Sequence, residues 1–320
     1  MRAFPRPVVV ISKCLEFEAC RYDGEVIPFP WMNRLKPHVR FVPVCPEVEI
    51  GLGIPRGPIR IVSAGNRKRL VQPSAGKDLS AEMRKFAKDF RVSLGEEADG
   101  FILKSRSPSC AVDDAKVFPG AKADSHVGRG AGLFAENILR RRSGTAIADE
   151  TRLGDTRYRE HFFTHLFARA DFRGTKRRAE RGALARFHAE NEFLLMAYSK
   201  KRFRDLGKIF SGMDGGPFRK SLLRYERIFR DMLARPPRRP SVFAVLKRCL
   251  EHLPESVDGA GKSALRGAME RYRRGGSSLG AVTRQMRKCL RRSGNSALRN
   301  QTFIEPFPGD LSDGGRPAPA

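Results

Sequence analysis

The sequence predicts two units of different class: an N-terminal α/β unit with a mostly parallel sheet, then an all-α helical unit. Three observations carry this. Through residue 150, short apolar runs alternate with segments of helical period. From about residue 156 the strand-like runs stop. The density of basic charge rises at the same place. The expected boundaries are 1–152 for the first unit, 153–304 for the second, and 305–320 for a flexible tail rich in Pro and Gly.

The strand candidates are 7–13, 38–44, 58–63 and 100–104. A helix is expected from Asp78, an N-cap residue, to about Leu94, with Leu79, Met83, Phe86 and Phe90 on one face. Another starts near Leu133 and ends in Arg140-Arg141-Arg142, cations that suit a helix C-terminus. In the second unit, Phe162, Leu166 and Phe167 mark one helix and Leu184, Phe187, Leu194, Leu195 and Tyr198 suit the next. Phe218, Leu222, Tyr225, Phe229 and Met232 form a clean helical stripe. Val242, Val245, Leu246, Cys249 and Leu253 form a fourth, capped by Ser241, and Leu279, Val282, Met286 and Cys289 a fifth. Gly212…Gly215-Gly216-Pro217, Arg235-Pro-Pro-Arg-Arg-Pro240 and Gly275-Gly276-Ser277-Ser278 separate them.

A chain of 320 residues can build two cores. No apolar run approaches the ~18 residues of a membrane span, and the run behind Arg6 is too short for a secretory signal. Six cysteines do not make a disulfide scaffold. These points predict a cytoplasmic protein. Residues 1–150 carry 25 Lys and Arg against 18 Asp and Glu, net +7. Residues 151–300 carry 36 against 14, net +22. Such an imbalance implies an anionic partner, nucleic acid before an anionic membrane surface, because phosphate contacts release counterions and no helix face carries Trp anchors. No obligate protein partner is evident.

Three cysteines each leave a short apolar run. Cys14 follows Val8–Lys13, Cys45 follows Val39–Val44, and Cys110 follows Gly100–Lys104 and a Ser-Arg-Ser-Pro-Ser turn. Ligands of parallel sheets bind beyond the carboxyl ends of the strands, so the three thiols can converge. Three thiolates and an open position suit an iron–sulfur cluster with a reactive iron, or zinc. Pro46 ends the second strand, and Glu47, two residues after Cys45, can face the same space. Cys20 is expected beside the site, whereas Cys249 and Cys289 fall on apolar stripes and read as core.

Cys14-Leu15, Cys20-Arg21-Tyr22-Asp23-Gly24, Val44-Cys45-Pro46-Glu47, Gly51-Leu52 with Pro55-Arg56, and Ser107-Pro108-Ser109-Cys110 together resemble the thiouracil desulfidase family over residues 6–150. The resemblance implies a 4Fe–4S cluster on Cys14, Cys45 and Cys110, its fourth iron free of protein ligands, with Glu47 and Ser107 as the catalytic residues. Leu15-Glu16-Phe17-Glu18-Ala19 departs from the family's usual Leu-Leu-Gly continuation. Residues 156–307 resemble the YbgA-like helical domain, through Phe187-His188, Leu195-Met196-Ala197, Leu206-Gly207 and Phe303-Ile304-Glu305-Pro306-Phe307-Pro308. Fusions of the two resemble RNA desulfidases that convert 4-thiouridine in tRNA to uridine.

The expected function is therefore desulfidation of a thiolated uridine in tRNA, with an open iron taking the thiocarbonyl sulfur and a Glu47-activated water attacking the ring carbon. Arg21, Tyr22, Asp23, Arg56 and Ser109 make up the expected substrate-binding set, although Arg21 and Asp23 also read as the ion pair of a turn. Gly128-Arg-Gly130-Ala-Gly132 reads as a turn before a helix. His161 and His165, one helical turn apart, are expected to be structural or phosphate-facing, and His188 to sit in the core. Lys220, Arg224 and Arg227 lie opposite one apolar stripe and Arg284, Arg287, Lys288 and Arg291 opposite another; these are the expected tRNA contacts. Two rival readings stand beside this one. One is an RNA-binding protein whose structural metal is closed by Cys20 or a histidine; the other is a desulfidase of free thiouracil.

Overall fold

The computed structural model describes residues 2–312, except 66, 141–143, 214–216, 256 and 292–295, with the side chains of 296 and 297 also left aside. Arg141, Arg142, Gly215, Gly216 and the end of the expected tail, 313–320, therefore lie outside the described residues. In chain order the elements are β1 (Val8–Ser12), α1 (Met32–Leu35), β2 (Arg40–Val44), α2 (Pro46–Glu49), β3 (Arg60–Ala64), β4 (Arg67–Gln72), β5 (Lys77–Asp78), α3 (Ser80–Leu94), β6 (Gly100–Leu103), β7 (Ala115–Phe118), β8 (Gly128–Gly130), α4 (Leu133–Leu139) and β9 (Ala146–Asp149). There follow α5 (Thr156–Arg178), α6 (Arg181–Glu190), α7 (Glu192–Tyr198), α8 (Lys200–Ser211), α9 (Phe218–Leu233), α10 (Arg239–Glu251), α11 (Gly259–Arg273), α12 (Leu279–Arg291) and α13 (Ser296–Arg299). The chain divides into two compact units, Pro7–Asp155 and Thr156 onward, and the second also includes residues 1–6.

The first unit contains a parallel sheet of order β2-β1-β6-β9. β1 is buried along its whole length, as its unbroken Val-Val-Val-Ile run requires of a strand covered on both faces. Val10 pairs with Val42 on one side and with Phe101 on the other, and Phe101 pairs with Ile147. All four strands thus end on the same side. The strand order reverses between β1 and β6, the place where a parallel sheet opens a crevice.

The strand expected at 58–63 belongs to a different, five-stranded sheet of order β5-β4-β3-β7-β8, antiparallel except between β3 and β7. Its inner face packs Ile61, Leu70 and Ala115 into the core with α3 and α4. α3 begins at Ser80, two residues after the expected cap; Asp78 instead accepts hydrogen bonds from the Ser80 amide and hydroxyl. Phe86 and Phe90 of α3 pack against Phe134 of α4, with ring centroids 5.8 and 5.5 Å apart.

The second unit is helical throughout. Its core gathers Phe172 of α5, Phe187 of α6, and Tyr225 and Phe229 of α9 into one aromatic cluster. The α9 stripe is buried at Leu222, Tyr225, Phe229 and Met232. α10 starts at Arg239 rather than after Ser241, with Pro240 tolerated in its first turn. Cys249 and Cys289 are buried. His161 Nδ1 lies 2.8 Å from the Tyr198 hydroxyl, and burial pushes the imidazole down to about 4, so it is neutral and structural. His188 lies 3.0 Å from the Tyr225 hydroxyl and flat against Phe203 and Phe210, as a core histidine does.

Both chain ends add to this unit. Arg2 donates to the Glu305 carbonyl and to Asp171. The expected loose tail is packed as far as the described residues go: Phe307 and Leu311 are buried, and Gly309–Leu311 form a 3₁₀ turn. Those two apolar side chains in an otherwise Pro- and Gly-rich stretch hold it down. Among the described residues, no helix is long and apolar enough to cross a membrane.

Candidate active site

The crevice at the carboxyl ends of the parallel strands is a cavity of about 490 Å³. Each strand delivers a residue to it: Lys13 and Cys14 after β1, Cys45 after β2, Lys104 and Ser105 after β6, Glu150 and Thr151 after β9. Cys110 reaches it from the turn between β6 and β7. Cys14, Cys45 and Cys110, distant in sequence, therefore line one cavity. Cys45 stands at the start of α2 with Pro46 in the first turn, which ends the strand and turns the chain so that Glu47 also lines the cavity.

A fourth thiol joins them. Cys20 lines the cavity and packs with Cys14 and Cys45, and its carbonyl accepts a hydrogen bond from the Cys45 thiol at 3.6 Å. The hydrogen bond to Cys14, with burial, pushes the Cys20 thiol up to about 11 against the opposing bond to Cys45; contact with Cys20, then burial, pushes Cys45 up, and burial pushes Cys110 up. Among the described residues, no three Cys, His, Asp or Glu side chains are gathered closely enough to hold a single ion. The sulfurs ring the cavity instead of closing on a point. A cubane cluster presents its irons at separate corners, so a ring of thiols suits it, and thiolate is the donor iron–sulfur clusters take.

Glu47 is held on both oxygens. Arg56 Nε and Nη2 donate to Oε2 at 3.0 and 2.7 Å, and the Ser109 hydroxyl donates to Oε1 at 3.0 Å. Arg56 is fixed in turn by the carbonyls of Gly53 and Cys20. Arg56 and Ser109, expected to bind substrate, are buried and engaged with the carboxylate: the Arg56 side chain is 5% exposed and Ser109 0%. The Ser107 hydroxyl accepts from the amides of Ser109 and Cys110, closing the turn that presents the thiol. Arg21 and Tyr22 line the mouth; Arg21 pairs with Asp23 and Glu25 and lies 5.3 Å from the Tyr22 ring, while Tyr22 is 44% exposed. Asp23 orients Arg21 and does not line the cavity.

The Cys110 turn rests on α4. Leu133 and Ala135 amides donate to the carbonyls of Pro108 and Ser109, satisfying orphan donors at the helix start. A Cβ on Gly132 would lie 2.4 Å from the Ser109 carbonyl group. The Gly-rich stretch before α4 is thus partly edge strand β8 and partly this close approach. Gly132→Ala is expected to displace the turn that presents the Cys110 thiol, costing about 1–3 kcal/mol of stability and lowering the iron the chain retains. Iron content and thermal melting of the variant check this; full iron occupancy would remove the packing argument.

Sequence reasoning missed a second carboxylate. Glu150 accepts from Lys104 Nζ at 2.6 Å, from the Ser105 hydroxyl at 2.6 Å and from the Ser105 amide at 2.8 Å. Burial raises its pKa, but these donors outweigh it and hold the carboxyl below the usual range. The strand-exit rule that singled out the cysteines finds Lys104 as well, and it finds Glu150 once 146–149 is recognised as a strand.

The basic faces of the second unit differ. Lys220, Arg224 and Arg227 on α9 are exposed, opposite its buried stripe. On α12, Lys288 and Arg291 are exposed. Arg287 is half-buried and donates to the Ile304 carbonyl at 2.7 Å, and Arg284 donates to the Ser312 hydroxyl at 3.5 Å. Those two expected RNA contacts hold down the segment that follows α13.

Comparison with known proteins gives four similarities. Residues 9–150 match the 2-thiouracil desulfurase family model. Residues 192–308 match the model of a protein family of unknown function, DUF1722. The uncharacterized protein YbbK of Bacillus subtilis (strain 168) is 26% identical over 154 residues, 46% of this chain and 99% of that protein. A solved structure of the [4Fe-4S]-dependent thiouracil desulfidase TudS is 27% identical, covering 47% of this chain and 94% of that one, with a TM-score of 0.37. Residues 9–150, which hold the thiol-ringed cavity, are thus similar to the 2-thiouracil desulfurase family, and residues 192–308 to DUF1722.

Proposed function

We propose that the chain is a 4Fe–4S-dependent desulfidase of thiolated uridine in RNA, converting 4-thiouridine in tRNA to uridine. The observation that carries this is the convergence of Cys14, Cys45 and Cys110 with Glu47 on one cavity in a desulfurase-family domain. Those three thiols would hold the cluster. When bound, it supplies a soft Lewis acid for a thiocarbonyl sulfur, which prefers a soft metal.

The chain's own residues supply the rest. Arg56 and Ser109 fix Glu47; Arg56 fills Oε2 with two N–H donors, and Oε1, which accepts only from Ser109, keeps a lone pair for a water O–H. Glu47 takes the proton as that water attacks the ring carbon. Water's oxygen replaces sulfur, sulfur leaves as sulfide, and no electrons are transferred overall. Lys13, Arg21, Lys104 and Arg106 line the same cavity and favour anionic surroundings such as a nucleotide phosphate. The base must be extruded from the RNA to enter. The exposed cations of α9 follow the backbone, which agrees with the +22 balance of residues 151–300.

The test is anaerobic reconstitution, iron analysis and mass spectrometry of digested thiolated tRNA. About four irons per chain and loss of 4-thiouridine are expected. Reversing Lys220, Arg224 and Arg227 to Glu is expected to weaken tRNA binding by about tenfold or more at physiological salt while turnover of free 4-thiouracil stays within about twofold. Equal loss on both substrates would remove the division of labour. Turnover of the free base alone would leave a thiouracil enzyme.

One observation favours a rival. Cys20 packs beside Cys14 and Cys45, so a closed structural site needs these thiols to draw together onto one ion. One zinc per chain in place of iron would support it.

A further inference from the structure

The desulfurase unit carries a charged surface that its cavity does not use. The outer face of the five-stranded sheet is basic. Lys116 of β7 stands directly opposite Arg129 of β8, and both are exposed. β3 runs parallel to β7 with Ile61 beside Val117, so the same register sets Arg60 next to Lys116. Arg60, Lys116 and Arg129 thus form one row across three strands. Arg67 of β4 is exposed at the far end of the same face, where its partner in the ladder is Ala64.

The arrangement is unfavourable in isolation. Like charges directly opposite each other in a ladder destabilise a sheet. Nothing offsets the Lys116–Arg129 pair: Arg129 donates only to the backbone carbonyl of Asp114, and neither cation meets a carboxylate among the described residues. A polyanion laid across the row removes the repulsion.

The face also adjoins the cavity along the chain. Pro58 and Ile59 line the cavity, and Arg60 is the next residue. Arg106 lines the cavity too; its amide donates to Asp114 Oδ1 at 2.8 Å, and the carbonyl of that same Asp114 receives Arg129. An aromatic group stands beside the row: Phe118 lies under the Arg60 guanidinium at 4.6 Å and beside the ring of exposed His126 at 6.4 Å. Cations along a track with an aromatic ring among them fit single-stranded RNA better than a lipid surface or an acidic helix.

We infer that this sheet face binds the RNA backbone next to the extruded base, as a second RNA contact inside the desulfurase unit itself. The inference rests on the RNA substrate proposed above. It explains how the catalytic unit, the less basic of the two, can hold the nucleotides flanking its target.

The experiment uses the full chain carrying its cluster and an unmodified tRNA transcript, with affinity measured across a salt series. Lys116→Ala with Arg129→Ala is compared with Lys85→Ala and Lys88→Ala, two exposed cations of α3 that change net charge equally. The sheet variant is expected to bind about tenfold more weakly at physiological salt and to lower the log–log salt slope by about 1.4, at ~0.7 per lost contact. The α3 variant is expected to stay near wild type. Melting temperatures confirm that both fold. If the sheet variant matches the α3 variant in affinity and slope, the inference is wrong while the RNA reading stands. If wild type binds no RNA at low salt, both fall together.

Discussion

Cys45→Ala is expected to abolish bound iron, brown absorbance and desulfidation together, whereas Cys20→Ser keeps all three within about tenfold. Both thiols are buried and both line the cavity, so exposure does not separate them. Position does. Cys45 leaves the carboxyl end of β2 at the start of α2, on the strand-end side shared with Cys14. Cys20 sits in a loop, with its carbonyl receiving Arg56 and the Cys45 thiol, so its backbone positions other groups. Truncating Cys45 removes a thiol and little packing, and the fold is expected to survive. Iron and sulfide analysis with a melting curve reads the result. Equal iron loss from Cys20→Ser would show that four thiols close the site and would count against the proposed chemistry.

The sequence reveals most of the parallel sheet and of the thiol set for one physical reason. β1 and β6 are buried runs and β2 a half-buried one ending in buried Val44, their apolar character is nearly unbroken, and each thiol follows a run or its turn. β4 was not legible because Arg67-Lys68-Arg69 gives it one wet end, so its apolar signal is only Leu70 and Val71. β8 is Gly-Arg-Gly, an edge strand of three residues that composition marks as a turn. β9 is short, and Ala146-Ile147-Ala148 lacks the β-branched density of β1. With β9 unseen, Glu150 had no reason to stand out. The roles of Arg56 and Ser109 were hidden for another reason. Their partner, Glu47, is 9 and 62 residues away, and no local pattern reports a contact of that range. Arg287 illustrates the same limit on the helical side. Its place opposite a stripe marks it as solvent-facing, but the segment after α13 returns over it and takes its hydrogen bond.

Glu47→Gln is expected to lower kcat by about 10²–10⁴ with iron content and KM nearly unchanged. The amide is close in shape to the carboxylate and can keep its surroundings. Its oxygen accepts from Arg56 as before, and its NH₂ donates to the Ser109 hydroxyl, which can accept as well as donate. What the amide loses is basicity, so the variant isolates proton transfer from folding. Arg56 and Ser109 act through Glu47 and give a graded series. Arg56→Lys cannot hold Glu47, the Cys20 carbonyl and the Gly53 carbonyl in one plane as the guanidinium does, and is expected to lose about 10–100-fold in kcat. Ser109→Ala frees one carboxylate oxygen and is expected to lose less, about tenfold. Single-turnover rates on 4-thiouracil across pH separate the two roles. The Gln variant should lose rate across the whole profile, because no base remains to take the proton of water, and the Arg56 and Ser109 variants should lose only part of it. An unchanged profile in Glu47→Gln would move the base elsewhere, and the carboxylate already in the cavity to take the part is Glu150.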